Sequence, residues 1–148
     1  MVQTTHNNPA VWDMKVFVVE DSQAVRERLV EMIRDIKDVD VVGEAASEEA
    51  AVSGILATRP DVAILDISLG EGSGIDVLAQ VKRQLPALKG IMLTNYATPQ
   101  HVKASADAGA EYFLDKSSEF EKIVDILERL AQDDSGTAAN DEPVKPKR

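Results

Sequence analysis

Apolar residues along this chain fall into two kinds of run that take turns. Short runs with little or no alternation occupy 14–19, 39–45, 62–65, 89–93 and 110–114, the pattern of strands covered on both faces. Between them apolar residues recur at helical spacing. Val25, Leu29, Met32, Ile33 and Ile36 predict a helix from Ser22 to near Lys37, and Ser47 caps a second one through Ala51, Ile55 and Leu56 that Pro60 ends. Ile75, Leu78, Ala79 and Val81 mark a third over 74–85, stopped at Pro86.

Thr98-Pro99 opens a fourth helix that Gly109 closes. Its apolar face is weak, with Val102 as the one bulky residue beside Ala104, Ala106 and Ala108. Ser118 and Glu121 form a capping box for a last helix carrying Phe120, Ile123, Val124, Leu127 and Leu130. Strand then helix, five times over, predicts an α/β fold: a doubly wound, five-stranded parallel sheet with five helices on its two faces. Polar residues 1–13 read as an N-terminal arm, 14–132 as one domain, and 133–148, with one valine and no larger apolar residue, as a disordered tail.

Composition narrows the function. The 148 residues contain no cysteine, which excludes disulfides and thiolate metal sites and fits a reducing compartment. No apolar run approaches a membrane span, and the N-terminus lacks a secretory pattern, so a cytoplasmic location is expected. Asp+Glu 26 against Lys+Arg 16 gives a net charge of −10, which repels nucleic acid and suits a cation or a basic protein surface. The 16 residues after Gln132 are too few for a DNA-binding or enzymatic module, so a single-domain protein is expected.

If the strands are parallel, their carboxyl ends share one edge, where ligands of open α/β sheets bind. Glu20 and Asp21 follow the first strand, Asp66 the third, Thr94 the fourth and Lys116 the fifth. Any one of these would be ordinary at an edge facing water. Together they bring three mutually repelling carboxylates beside an ammonium and a hydroxyl, a set suited to a hard divalent cation such as Mg²⁺. A carboxylate so placed can accept a phosphoryl group. The glycines at 70, 72 and 74 read as a turn, since neither Gly-Lys-Ser/Thr nor G-x-G-x-x-G is present. His101 reads as a surface residue, and Phe113 as a core position.

That five-residue set over roughly 14–132 resembles the receiver domain of two-component response regulators, in particular single-domain receivers of the chemotaxis-regulator type. The resemblance implies a flavodoxin-like sheet of order 2-1-3-4-5. It implies that Asp66 is the phosphoacceptor, and that Thr94 and Lys116 contact the phosphoryl oxygens. Asp21 and Asp66 would hold Mg²⁺, with Glu20 through water and the Ser68 backbone carbonyl completing the protein ligands. Thr94 and Phe113 would form the switch, and Asn95 and Tyr96 would modulate access. A histidine kinase or histidine phosphotransfer protein would be the donor. The downstream protein would dock on the face of the fourth helix, fifth strand and fifth helix, where a phosphorylation-linked homodimer could also form.

The sequence departs from the family at three places. Leu69-Gly70 replaces the usual Met-Pro, Asn95 the usual small residue, and Ser117 the proline commonly associated with a cis peptide. Two other functions compete: a pseudo-receiver that binds partners without phosphorylation, and a phosphatase with Asp66 as transient nucleophile. The phosphatase reading needs an acid two residues after the nucleophile, where Ser68 stands. The chain is therefore expected to be a phosphoacceptor rather than an enzyme in its own right.

Overall fold

A computed structural model describes the backbone of residues 13–140 and the side chains of 13–132; the arm up to Trp12 and residues 141–148 lie outside it. Strands β1 (Met14–Val19), β2 (Val39–Ala45), β3 (Val62–Asp66), β6 (Lys89–Thr94) and β7 (Tyr112–Asp115) form the main sheet. All four pairings are parallel, in the order β2-β1-β3-β6-β7, which is 2-1-3-4-5 when these strands alone are counted. Helices α1 (Gln23–Arg34), α2 (Glu48–Thr58), α3 (Gly74–Gln84) and α4 (Pro99–Asp107) follow their strands.

Successive strand residues enter opposite cores, which is why the strands lack alternation. Val16, Val18, Ile64, Ile91 and Leu93 meet Leu29 and Ile33 of α1 and Ile123 and Leu127 of the last helix. Phe17, Val19, Ala63, Leu65 and Met92 meet Ile55 of α2 and Val77, Leu78 and Val81 of α3. Phe17 is buried in a slot made by two glycines, since a Cβ at either Gly43 or Gly54 would lie 2.6 Å from its ring. Gly54→Val should therefore cost about 1–3 kcal/mol by overpacking, seen as a lower urea midpoint at unchanged slope. An unchanged midpoint would show that the slot yields.

Four details differ from the sequence expectation. Residues 67–73 are more than a turn, because β4 (Ser68–Leu69) and β5 (Gly72–Ser73) pair as a small antiparallel hairpin. The last helix is two helices, α5 (Lys116–Glu119) and α6 (Lys122–Asn140), giving six among the described residues. The Ser118–Glu121 capping box gives way to an earlier cap: Asp115 Oδ1 accepts from Ser117 N at 2.8 Å, and Asp115 N donates to Glu119 Oε1 at 2.9 Å. A charged cap at the strand end outcompetes a serine three residues on. The hydroxyl and backbone N–H of Ser117 hold the Asp115 carboxyl below the usual carboxylate range. Helix α6 also runs to Asn140, beyond the boundary placed after Gln132, since no proline interrupts it before Pro143.

The weak face of α4 is confirmed and is weaker than expected. Its one buried residue is Ser105, whose hydroxyl has no hydrogen-bond partner, while Val102 points to solvent at 44% exposure.

Candidate functional site

The carboxyl edge of the sheet gathers the expected residues. β1 ends into Glu20, which is buried, and Asp21, which is exposed; β3 ends on buried Asp66 and β6 on buried Thr94. The cap at Asp115 starts α5 immediately after β7, so Lys116 is the first helical residue and reaches back over the edge. Its Nζ lies 2.9 Å from Glu20 Oε1 and 3.0 Å from Asp66 Oδ2. The second Asp66 oxygen accepts from Ser68 N at 3.3 Å, and Glu20 Oε2 from Ser22 N at 3.0 Å.

Burial pushes the Glu20 carboxyl up, against the lowering effects of Lys116 and the Ser22 N–H, while the Asp66 charge adds to the rise. Burial alone would lower Lys116, but its bonds to Glu20 and Asp66 outweigh that and its pKa is raised. One lysine thus serves two buried carboxylates. Carboxylate oxygens of Glu20, Asp21 and Asp66 lie within 4.8 Å of one another, a group able to hold a metal ion. Glu20 Oε1 meets the Lys116 ammonium at 2.9 Å, and a carboxylate oxygen with one such partner keeps a lone pair for a cation in this acidic cluster. Oxygen donors alone, partly buried and negatively charged, suit a hard divalent cation.

The loop after Asp66 is packed rather than loose. Gly74 faces the Asp66 carbonyl so closely that no Cβ fits, and its N–H donates to Ile67 O at 2.9 Å. Glu48, at the start of α2, accepts from Ser73 N at 3.0 Å and from Gln80 Nε2 at 3.1 Å, and lies flat against Gly72. It braces the hairpin that carries Ser68, in the place where the family's Met-Pro is missing. Sequence reasoning missed Glu48 because an acid after a serine cap looks like an ordinary first-turn residue, and its partner is 25 positions away. Arg26 was missed too: it holds the Glu20 carbonyl at 2.8 Å and pairs with Glu44 at 3.1 Å.

Thr94 Oγ1 accepts from Tyr96 N at 3.0 Å. In the β6–β7 register Thr94 stands opposite Asp115 and Met92 opposite Phe113, so Phe113 lies diagonally below Thr94 on the same face. Phe113 is half-buried against the α2–α3 core instead of fully in it. Ser68, Asn95 and Tyr96 are exposed beside the site. No peptide bond among the described residues is cis, Lys116–Ser117 included.

The sequence model of the response regulator receiver domain matches residues 16–128. This chain belongs to the response regulator receiver family. Among relatives, the receiver is 37% identical over 103 residues to the DNA-binding transcriptional activator DevR/DosR of Mycobacterium tuberculosis, covering 70% of this chain and 48% of that one. It is 28% identical over 122 residues to the response regulator VraR of Staphylococcus aureus, covering 82% and 58%. The receiver thus spans about half the length of these relatives. Among solved structures it is similar to the isolated receiver domain of RcsB from Salmonella enterica serovar Typhimurium with the phosphomimetic BeF₃⁻, at TM-score 0.72 and 26% identity over 81% of this chain and 89% of that one. The response regulator domain of Thermotoga maritima CheB matches at TM-score 0.70 and 26% identity, over 82% and 96%. No helix among the described residues is long and apolar enough to cross a membrane.

Proposed function

We propose that this receiver accepts a phosphoryl group on Asp66 from a histidine kinase or histidine phosphotransfer protein, with Mg²⁺, and signals by changing its protein contacts. The observation that carries this reading is Lys116 Nζ held 3.0 Å from Asp66 Oδ2 within a cluster of three carboxylates. In the transfer, an Asp66 oxygen attacks phosphorus, an O–P bond forms, and the bond to the donor's imidazole nitrogen breaks, leaving that nitrogen its electron pair. Lys116 offsets charge on the phosphoryl oxygens, and the Thr94 hydroxyl turns from the Tyr96 amide to donate to one of them. Asp21, Asp66, the Ser68 carbonyl and, through water, Glu20 would hold the Mg²⁺, which supplies further charge neutralisation there.

Asn95 and Tyr96 stand beside the site and set access to it. Output runs through Thr94 and Phe113 to the face of α4, β7 and the start of the last helical segment. Tyr96 at 70% and Val102 at 44% exposure are the large exposed hydrophobic residues among those described; Tyr96 stands in the loop leading into α4 and Val102 on α4 itself. An acidic chain of net charge −10 does not suit duplex DNA as its own ligand. The name of DevR/DosR states DNA binding for a protein of which the match covers 48%.

The test compares amide chemical shifts with and without beryllofluoride and Mg²⁺ in wild type and Thr94→Ala. Shifts should spread from the loops around Asp66 into 99–114 in wild type and stop short of them in the variant. Changes confined to the Asp66 loops, or transmitted equally by Thr94→Ala, would contradict the switch.

A further inference from the structure

His101 lies on the half-buried side of α4, together with Ala104, Ser105 and Ala108, and not on its solvent side. Its Nδ1 is 2.8 Å from the backbone carbonyl oxygen of Tyr96. A carbonyl only accepts, so this contact requires the proton on Nδ1. The same oxygen accepts from Thr98 N at 3.0 Å, and the Thr94 hydroxyl is 3.4 Å away. A carbonyl has two lone pairs, and the two shorter bonds fill them. Thr94 is left with a long, poor bond as donor, while its oxygen is tied to Tyr96 N at 3.0 Å.

The chain therefore closes a ring of hydrogen bonds between the strand end and the helix. Thr94 binds the Tyr96 amide, the Tyr96 carbonyl binds His101 and Thr98 N, and His101 N donates to Thr98 Oγ1 at 3.1 Å. An inward movement of the Thr94 side chain toward a group on Asp66 pulls on its bond to the Tyr96 amide, while His101 and Thr98 N hold the carbonyl of the same residue in place. The rest of α4 resists little, since its one buried residue is a serine with an unpartnered hydroxyl.

We infer that His101 is a positioning residue, a side-chain latch that holds the Thr94–Tyr96 loop in its resting form and opposes phosphoryl-type ligands at Asp66. This rests on the function proposed above. The latch stabilises only the resting loop, so a ligand that draws Thr94 inward must overcome it, and removing it lowers that opposition. The loss of one neutral hydrogen bond corresponds to roughly a two- to tenfold gain in apparent beryllofluoride affinity.

Nitrogen-15 spectra of the imidazole provide a readout that a merely structural role would not move. The chain has two histidines, so His6→Gln leaves one ring to observe. At mildly alkaline pH the resting protein should show the Nδ1-protonated tautomer, and beryllofluoride with Mg²⁺ should raise the Nε2-protonated share. In parallel, His101→Ala should bind beryllofluoride more tightly by the stated factor. His101→Asn, whose amide can donate from the Nδ1 position, should return affinity toward wild type. An Nε2-protonated resting ring, a tautomer unchanged by beryllofluoride, or affinity in His101→Ala equal to or below wild type would each overturn the latch. Should His101→Ala fail to fold, the tautomer measurement on the His6→Gln protein still decides. Affinity unchanged in His101→Ala alongside a normal wild-type response overturns the latch alone. No beryllofluoride response at all in wild type overturns the proposed function, and the latch with it.

Discussion

Lys116→Met should destabilise the metal-free protein by about 2–4 kcal/mol and at the same time enlarge its stabilisation by Mg²⁺. Glu20 and Asp66 are 1% and 5% exposed, and Lys116 is the cation that engages both. Removing one partner of a buried ion pair leaves uncompensated charge, a loss of roughly 3–5 kcal/mol that protonation of a carboxylate relieves in part. The pH dependence has a definite sign. Glu20 is pushed up by burial, so it favours the folded state when protonated, below the usual glutamate range, and that contribution fades as pH rises through its raised value. Lys116 is raised as well, so its contribution persists through neutral pH and is lost only as pH climbs through its own raised value. The deficit of the variant should accordingly narrow as pH falls into the carboxylate range.

Mg²⁺ and the lysine draw on the same oxygens, so the metal should compensate more where the lysine is gone. At about ten times its dissociation constant a ligand adds roughly 1.4 kcal/mol, and the variant, with its tighter site, should exceed the wild-type gain at equal Mg²⁺. Asp21→Ala should remove the Mg²⁺ effect from both. Urea midpoints with and without Mg²⁺, at constant ionic strength, measure all of this. A Lys116→Met midpoint equal to wild type without metal would mean that the ion pairs in the site are energetically idle.

The sheet was legible because burial on both faces leaves strands with unbroken apolar runs, and because each run ended where proline, glycine or a polar residue stood. The edge residues were legible for the same reason: once strands are parallel, position alone brings Glu20, Asp66, Thr94 and Lys116 together. What could not be read depends on pairs distant in sequence or on competition between neighbours. The 68–73 hairpin is held by Glu48 from another helix, and no local signal marks that brace. Asp115 displaced Ser118 as the helix cap, a contest between two acceptable caps that only strand geometry decides. His101 resembled a surface residue because nothing in its helix shows that the Tyr96 carbonyl bends back to meet it.

Asp66→Asn should eliminate acceptance of a phosphoryl group altogether, the largest effect expected for any substitution in this chain. Asp66 ends the central strand β3 inside the acidic cluster, with Lys116 Nζ 3.0 Å from Oδ2 and Ser68 N donating to Oδ1 at 3.3 Å. Asn keeps the shape of the side chain but replaces the nucleophilic carboxylate with an amide, so the fold should survive while the chemistry does not. Glu20 is also paired with Lys116 and accepts from Ser22 N, but it is the more deeply buried of the two, 1% against 5% exposed, and so less open to an incoming donor. Intact-mass spectrometry after incubation with acetyl phosphate and Mg²⁺ tests this most directly. One added phosphoryl group is expected on wild type, none without Mg²⁺, and none on Asp66→Asn. A phosphoryl group on the Asp66→Asn protein, or none on wild type with Mg²⁺ present, would contradict it.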